Sequence, residues 1–194
     1  LLVASWRHSF CKDNLSKHPN IRLATARSGN VLGGGDWSTD RIVPDAIRAL
    51  RRNEIINIRN PNYTRPWQHV LDPLIGYLKL AENQFEESNN NLFSSEFNFG
   101  PIPGENHTVE QLVREILIYW PGSYSILNSS NEFYESGLLN LQIDKSLKKL
   151  GWKPKWDFSN TVKKTIEWYL NYEKGISAYE STMSDINHFL KDYK

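Results

Sequence analysis

The chain has a single cysteine, Cys11. No internal disulfide can form, which fits a reducing compartment, and a cytoplasmic location is the expectation. Neither sign of charge is in excess: 23 Lys and Arg stand against 22 Asp and Glu, a net charge of +1. That balance argues against a general nucleic-acid binder, which needs a basic face. No apolar run approaches the ~20 residues that cross a membrane. The opening stretch Leu1-Leu2-Val3-Ala4-Ser5-Trp6-Arg7-His8 does not read as a signal peptide, because its apolar part is short and no basic segment precedes it. His8, His18, His69, His107 and His188 show no ligand spacing, and one cysteine makes no cluster, so a metal site is not expected. No Gly-x-Ser-x-Gly elbow occurs. The run Gly33-Gly34-Gly35 does not extend into a Gly-x-Gly-x-x-Gly fingerprint.

What is present is an ordinary globular composition, 39% hydrophobic and 23% charged over 194 residues. One domain, or one domain with an added lobe, is the prior. Seven Trp and nine Tyr point first to core packing. Leu2, Trp6 and Phe10 fall on one helical face with no cap before them, so the chain is expected to begin inside a helix, over residues 1–15, and to be the later part of a longer protein. Residues 21–27 read as a short buried parallel strand. Asp40 is the expected cap of a helix over 41–52, with Ile42, Ala46, Ile47 and Leu50 inward. Residues 55–58 are strand-like. Asp72-Pro73 marks a helix start, and Leu71, Leu74, Ile75, Leu78 and Phe85 repeat at three and four.

Residues 86–95 read as a solvated loop and 96–99 as a strand. Thr108-Val109-Glu110-Gln111 is a capping box opening a helix that runs to Trp120. Residues 124–127 and 138–142 are candidate short strands. Residues 144–150 form a helix stopped by Gly151, and 160–173 a helix with Val162, Ile166 and Tyr169 inward. Ile176, Tyr179, Met183, Ile186, Leu190 and Tyr193 make a heptad-like stripe on a last helix, to be docked on its own domain or used as a dimer seam. Strands alternating with helices give an α/β fold, with a smaller mixed lobe from about residue 100.

Chemistry concentrates between Arg41 and Arg65, where there are six Arg, no Lys, and only Asp45 and Glu54 as acids. A guanidinium donates two parallel hydrogen bonds and keeps its charge, which suits phosphate oxygens. Arg48, Arg51 and Arg52 fall on the solvent side of their helix. Arg65 sits in an Asn/Pro/Tyr loop stiffened by Pro66-Trp67, so its partner is a ligand phosphate or a structural salt bridge. Asn30 follows a buried strand, where ligands bind in open α/β sheets, and its amide can donate and accept to a sugar hydroxyl. The triple glycine is by itself a turn signal. His69, followed by Val70 and Leu71, reads as a structural histidine. The residues alone support an anion-binding α/β domain for a phosphate-bearing ligand.

The run from Ala26 to Trp37 (ARSGNVLGGGDW), with Asp40 to Asp45 (DRIVPD), Arg59-Asn60-Pro61, Arg65 to Leu74 (RPWQHVLDPL), Gly76-Tyr77-Leu78, Phe97 to Pro101 (FNFGP), Leu150 to Trp156 (LGWKPKW) and Trp168-Tyr169, resembles the second half of an extended short-chain dehydrogenase/reductase. Within that superfamily it is most similar to the CDP-glucose 4,6-dehydratase family. Arg-x-x-Asn-Val-x-Gly points only to the superfamily; the Gly-Gly-Gly-Asp-Trp loop together with Arg-Pro-Trp-Gln-His is the specific part.

The resemblance implies the C-terminal part of a Rossmann-like parallel sheet plus a smaller mixed α/β substrate-binding lobe. Residues 1–100 would be the end of the NAD-binding domain with substrate-binding insertions, and 101–194 mostly the substrate lobe and terminal helices. It implies NAD as cofactor, CDP-glucose as substrate, CDP-4-keto-6-deoxyglucose as product, and a homo-oligomer. Ser28 would contact the cofactor. Asn30 would bond the sugar or its phosphate, Arg65 would grip the pyrophosphate, and Arg41 is a further candidate for the same ligand. Tyr134-Glu135 falls where the family carries a His-Glu pair facing the nucleotide. The family's glycine fingerprint and Tyr-x-x-x-Lys pair are not among these 194 residues, so the chain alone is expected to lack dehydratase activity. The rivals are another nucleotide-sugar epimerase or dehydratase of the superfamily, and a non-catalytic nucleotide-sugar-binding domain.

Overall fold

The structure is a computed structural model that describes residues 2–11, 21–86, 91–127 and 137–191. It is a mixed α/β chain. Helices are α1 (Leu2–Phe10), α2 (Ile42–Arg51), α3 (Leu71–Glu86), α4 (Val109–Tyr119), α5 (Asp144–Leu150), α6 (Phe158–Glu173) and α7 (Ala178–Lys191). Strands are β1 (Thr25–Ser28), β2 (Asn30–Leu32), β3 (Ile56–Ile58), β4 (Thr64–Arg65), β5 (Trp67–His69), β6 (Glu96–Phe99), β7 (His107–Thr108) and β8 (Tyr124–Ile126). Among the described residues the strands pair in twos. β1–β6, β2–β5 and β3–β8 are parallel, and β4–β7 is antiparallel.

Two apolar clusters hold these elements. The larger joins α2, β3, α4 and α6 through Ile47, Ile58, Leu112, Ile116, Ile166 and their neighbours. The smaller joins α3, β6 and α5 through Leu80, Phe97, Phe99, Ile143, Leu150 and Trp152. The apolar positions expected of α2, α4 and α6 do face inward: Ala46, Ile47, Leu112, Ile116, Val162, Ile166 and Tyr169 are all buried. The capping box forms in full, with Thr108 Oγ accepting from Gln111 N–H and the Gln111 side chain accepting from Thr108 N–H. Gly151 closes α5 in the left-handed conformation, φ 56°.

Several expectations are corrected. Asp40 does not cap α2. Its φ is 59°, its carboxylate takes Arg59 at 3.0 Å, and Arg41 occupies the cap without a side-chain bond. β1 is shorter than read and is half open: Ala26 and Arg27, on opposite faces, are both exposed, and among the described residues it pairs with one strand only. On α3 only part of the apolar stripe faces inward: Ile75 packs on the smaller cluster. Leu74, Leu78 and Phe85 are exposed, while Asp72, Gly76 and Leu80 are buried. Helix and sheet can approach there because Gly76 has no side chain: a Cβ would sit 2.4 Å from the Phe99 ring.

On α7 the docked residues are Ser181 and Phe189, offset from the heptad-like stripe, whose Tyr179 and Leu190 are exposed. In the expected solvated loop, Phe93 is buried. Around residues 138–142 the structure has an isolated bridge, Thr64 to Leu138, and no strand. Cys11 is buried and free. Residues 12–15 and 87–90, Tyr134-Glu135 and Tyr193 lie outside the described residues.

Candidate functional site

Four segments meet where β1 gives way to β2. Ser28 ends β1 opposite Phe99, and Asn30 opens β2 opposite Trp67. Between them Gly29 is pressed on the chain that follows Arg65: a Cβ there would lie 2.5 Å from the Pro66 carbonyl oxygen. The Phe99 carbonyl accepts from Gly29 N–H at 3.1 Å and from the Gln68 amide at 2.8 Å. One carbonyl thus ties the Ser28-Gly29-Asn30 turn to the strand that begins just after Arg65. The structure brings Ser28, at the carboxyl end of β1, next to Asn30 and Trp67, which open β2 and β5, with Arg65 and Pro66 just before; the carboxyl ends of parallel strands are the usual place for a ligand in an open α/β sheet.

Arg65 is held firmly. It is 8% exposed, its Nη1 donates to the Thr64 carbonyl at 2.9 Å, and its guanidinium lies 5.4 Å from the centre of the Tyr63 ring. A guanidinium in such partly desolvated surroundings interacts strongly with anions, because little water screens it. Pro66 removes one backbone donor and stiffens the link to β5. Trp67, also buried, donates from its indole to the His107 carbonyl at 3.1 Å, fastening β5 to β7.

Arg41 is placed differently. It stands at the start of α2, two-thirds exposed, with its Nη1 3.0 Å from Asp36. That partner, with the Ser38 backbone and side chain, lowers the Asp36 pKa against the opposing effect of burial. A ligand phosphate reaching Arg41 would compete with this ion pair. Arg48 and Arg51 are structural. Arg48 donates to the Trp37 and Ser38 carbonyls and pairs with Asp45. Arg51 pairs with Glu173 at 2.8 Å.

The triple glycine is a packing device. Gly34 lies flat against the indole of Trp168, leaving a Cβ only 2.0 Å from the ring, and Gly35 has φ 84°. The next residues complete the dock: the Tyr169 hydroxyl donates to the Asp36 carbonyl at 2.7 Å, and Trp37 meets the Tyr169 ring edge-on at 5.1 Å. The loop anchors on α6, which positions the segment around Asn30.

Below the site, His69 and Asp72 are buried. His69 Nδ1 accepts from Leu71 N–H and its ring meets Trp156 edge-on at 4.5 Å. Burial, with a smaller push from Lys164, lowers its pKa to about 3, so it is neutral and structural. Asp72 Oδ1 accepts from Lys155 N–H at 2.6 Å, and the Asp72 carbonyl accepts from the Trp152 indole at 2.9 Å. Burial raises its carboxyl to about 6. Asp72 therefore pins the Trp152–Trp156 segment to α3. Sequence reasoning missed this role, and it did not foresee that His107 lies across from Arg65 on β7. A two-residue strand leaves no periodic signal. Among the described residues, no group of three or more His, Cys, Asp or Glu is arranged to hold a metal ion, and no helix is long and apolar enough to cross a membrane.

No protein-family model matches the chain. Against curated proteins it is 34% identical over 191 residues to CDP-glucose 4,6-dehydratase of Salmonella typhimurium, an alignment covering 98% of this chain. The chain is a relative of CDP-glucose 4,6-dehydratase. It spans about half, 53%, of the length of that relative. Among solved structures it superimposes with a TM-score of 0.67 on a UDP-glucose 4-epimerase from Stenotrophomonas maltophila, 15% identical, over 80% of this chain and 50% of that one. It matches a dTDP-glucose 4,6-dehydratase from Bacillus anthracis with a TM-score of 0.61 at 15% identity, over 78% and 45% of the two chains. These likenesses establish a Rossmann-like α/β fold and nothing about the ligand.

Proposed function

We propose that this chain is the sugar-nucleotide-binding half of a CDP-glucose 4,6-dehydratase, which converts CDP-glucose to CDP-4-keto-6-deoxyglucose. The observation that carries the reading is Arg65, a buried guanidinium fixed by Tyr63 and the β4–β7 ladder beside the Gly29-Asn30 turn. The relationship to the Salmonella typhimurium dehydratase selects the substrate class. In this reading Arg65 binds the diphosphate, Asn30 bonds the sugar or its phosphate, and Arg41 reaches the same ligand by exchanging Asp36 for it. Base contacts, including the region of Tyr134-Glu135, are left unassigned.

NAD, when bound, supplies the oxidation that starts this chemistry and takes part again in the closing reduction. In this reading Ser28, at the end of β1, contacts the cofactor. The glycine fingerprint and the Tyr-x-x-x-Lys pair are not in the sequence, so the chain's own residues bind and orient the substrate. The surface around β1 supports the division of labour: one strand edge is open among the described residues, and α1 buries none of its own side chains. Parallel strands are normally covered on both faces, and in this reading the NAD-binding half covers them. Residues 1–100 belong to the end of that half and 101–194 mostly to the substrate lobe.

Calorimetric titration with CDP-glucose tests the reading. Arg65→Ala is expected to weaken binding by about 2–4 kcal/mol, the scale for truncating one partner of a buried charge pair. Binding equal to that of the wild-type chain would overturn the assignment.

A further inference from the structure

His107 is the most conspicuous polar group near Arg65 with no role so far. The β4–β7 ladder sets it directly opposite Arg65. Residues opposed in an antiparallel pair project from the same face, with Cβ atoms about 4.5–5.5 Å apart. The imidazole is fixed in orientation, lying flat on Phe158 with ring centroids 3.8 Å apart and planes 11° from parallel. Its backbone is fixed too, by the Trp67 indole on its carbonyl. Yet among the described residues neither ring nitrogen has a hydrogen-bond partner. A half-buried imidazole held this rigidly, at the ladder position opposite Arg65, can share an anion with that strand.

We propose that His107 is a second anchor for the diphosphate gripped by Arg65, donating a ring N–H to a phosphate oxygen. This rests on the assignment of Arg65 as the diphosphate contact. The charged groups acting on the ring are Glu105, from the loop before β7, and Glu115, from α4; Arg65 is its ladder partner on β4, and Phe158 of α6 carries no charge. Burial keeps the imidazole below its ordinary pKa, while Glu105 and Glu115 pull the other way. In the free chain the ring is neutral near pH 7. A bound diphosphate favours the imidazolium, so binding takes up a proton and tightens as pH falls. The diphosphate diester of CDP-glucose does not itself titrate in that range.

The test is titration of CDP-glucose into the chain at about pH 6 and about pH 8, with wild type, His107→Phe, His107→Gln and Arg65→Ala. Phenylalanine keeps the stack on Phe158 and removes the donor; glutamine keeps a donor that does not titrate. The expected result is wild-type binding that tightens toward pH 6, and His107→Phe weaker by about tenfold, the size of one hydrogen bond to a charged group, with no pH slope. His107→Gln should recover part of the affinity and also show no slope. If Arg65→Ala weakens binding while His107→Phe binds like wild type with its slope intact, the role of His107 is refuted and that of Arg65 stands. If neither substitution weakens binding, or the wild-type chain does not bind CDP-glucose, the proposed function falls and this inference with it.

Discussion

Asp72 shows how far a single residue can be read and where reading stops. Next to Pro73 it has the signature of a helix start, and α3 does begin there, at Leu71. Its carboxylate does something the local sequence cannot display: it accepts from Lys155 N–H, 83 residues away. Oδ2 has no partner among the described residues, and burial raises the pKa from 3.8 to about 6. A carboxyl with a raised folded-state pKa binds its proton more tightly in the native chain than in the unfolded one. Its contribution to stability is therefore greatest below about pH 4 and is lost as pH rises through about 6. The loss is about 2–3 kcal/mol at ~1.4 kcal/mol per pKa unit. Asp185, also raised to about 6 by burial, adds a slope of the same sign, so the comparison must be between variants. Asp72→Asn keeps the acceptor for Lys155 and removes the titration. Urea unfolding at several pH values should show Asp72→Asn gaining on wild type between about pH 4 and 7. A constant difference across that range would mean that Asp72 titrates normally.

At the level of elements, helices were legible where one face is apolar and packs on the core, as in α2, α4 and α6. They were misread where a small or polar residue makes the contact. α3 turns Gly76 to Phe99 and α7 turns Ser181 and Phe189 inward, so the closest contacts fall beside the apolar stripe in both. The glycine loop was legible as a turn but not as a dock, because its partner, Trp168, lies far along the chain. Gly34→Ala is expected to destabilise the chain by about 1–3 kcal/mol, as for an overpacked contact, since a Cβ would overlap the Trp168 ring at 2.0 Å. Trp168→Leu should relieve the clash, so the double variant should lose less than the two single losses added together. Both effects are read from urea midpoints. An unaffected Gly34→Ala would show that the loop does not rest on α6. Because Trp168 also donates to Thr182 of α7 at 3.0 Å, the same contact links the loop to the last helix.

The whole molecule joins two apolar clusters with the Arg65 strand lying between segments that feed both. Trp67 belongs to the larger, and Gln68 bonds the carbonyl of Phe99 in the smaller. If Arg65 and Asn30 hold the ligand as proposed, binding should stabilise the fold as a unit, and the two expected ligands should differ. Under the proposed function CDP-glucose would engage residues this chain contains, whereas NAD would meet only Ser28. At a hundredfold excess over its dissociation constant, CDP-glucose should stabilise the chain by about 2.7 kcal/mol, visible as a raised melting temperature. NAD at the same concentration should leave the melt where it was, and the two together should produce no 4-keto sugar. A melt raised by NAD alone would place a cofactor site within these residues and would undo the assignment of Ser28 as a peripheral contact. Turnover by the isolated chain would show that the oxidation does not need the Tyr-x-x-x-Lys pair, and the reading of this chain as the binding half would fail.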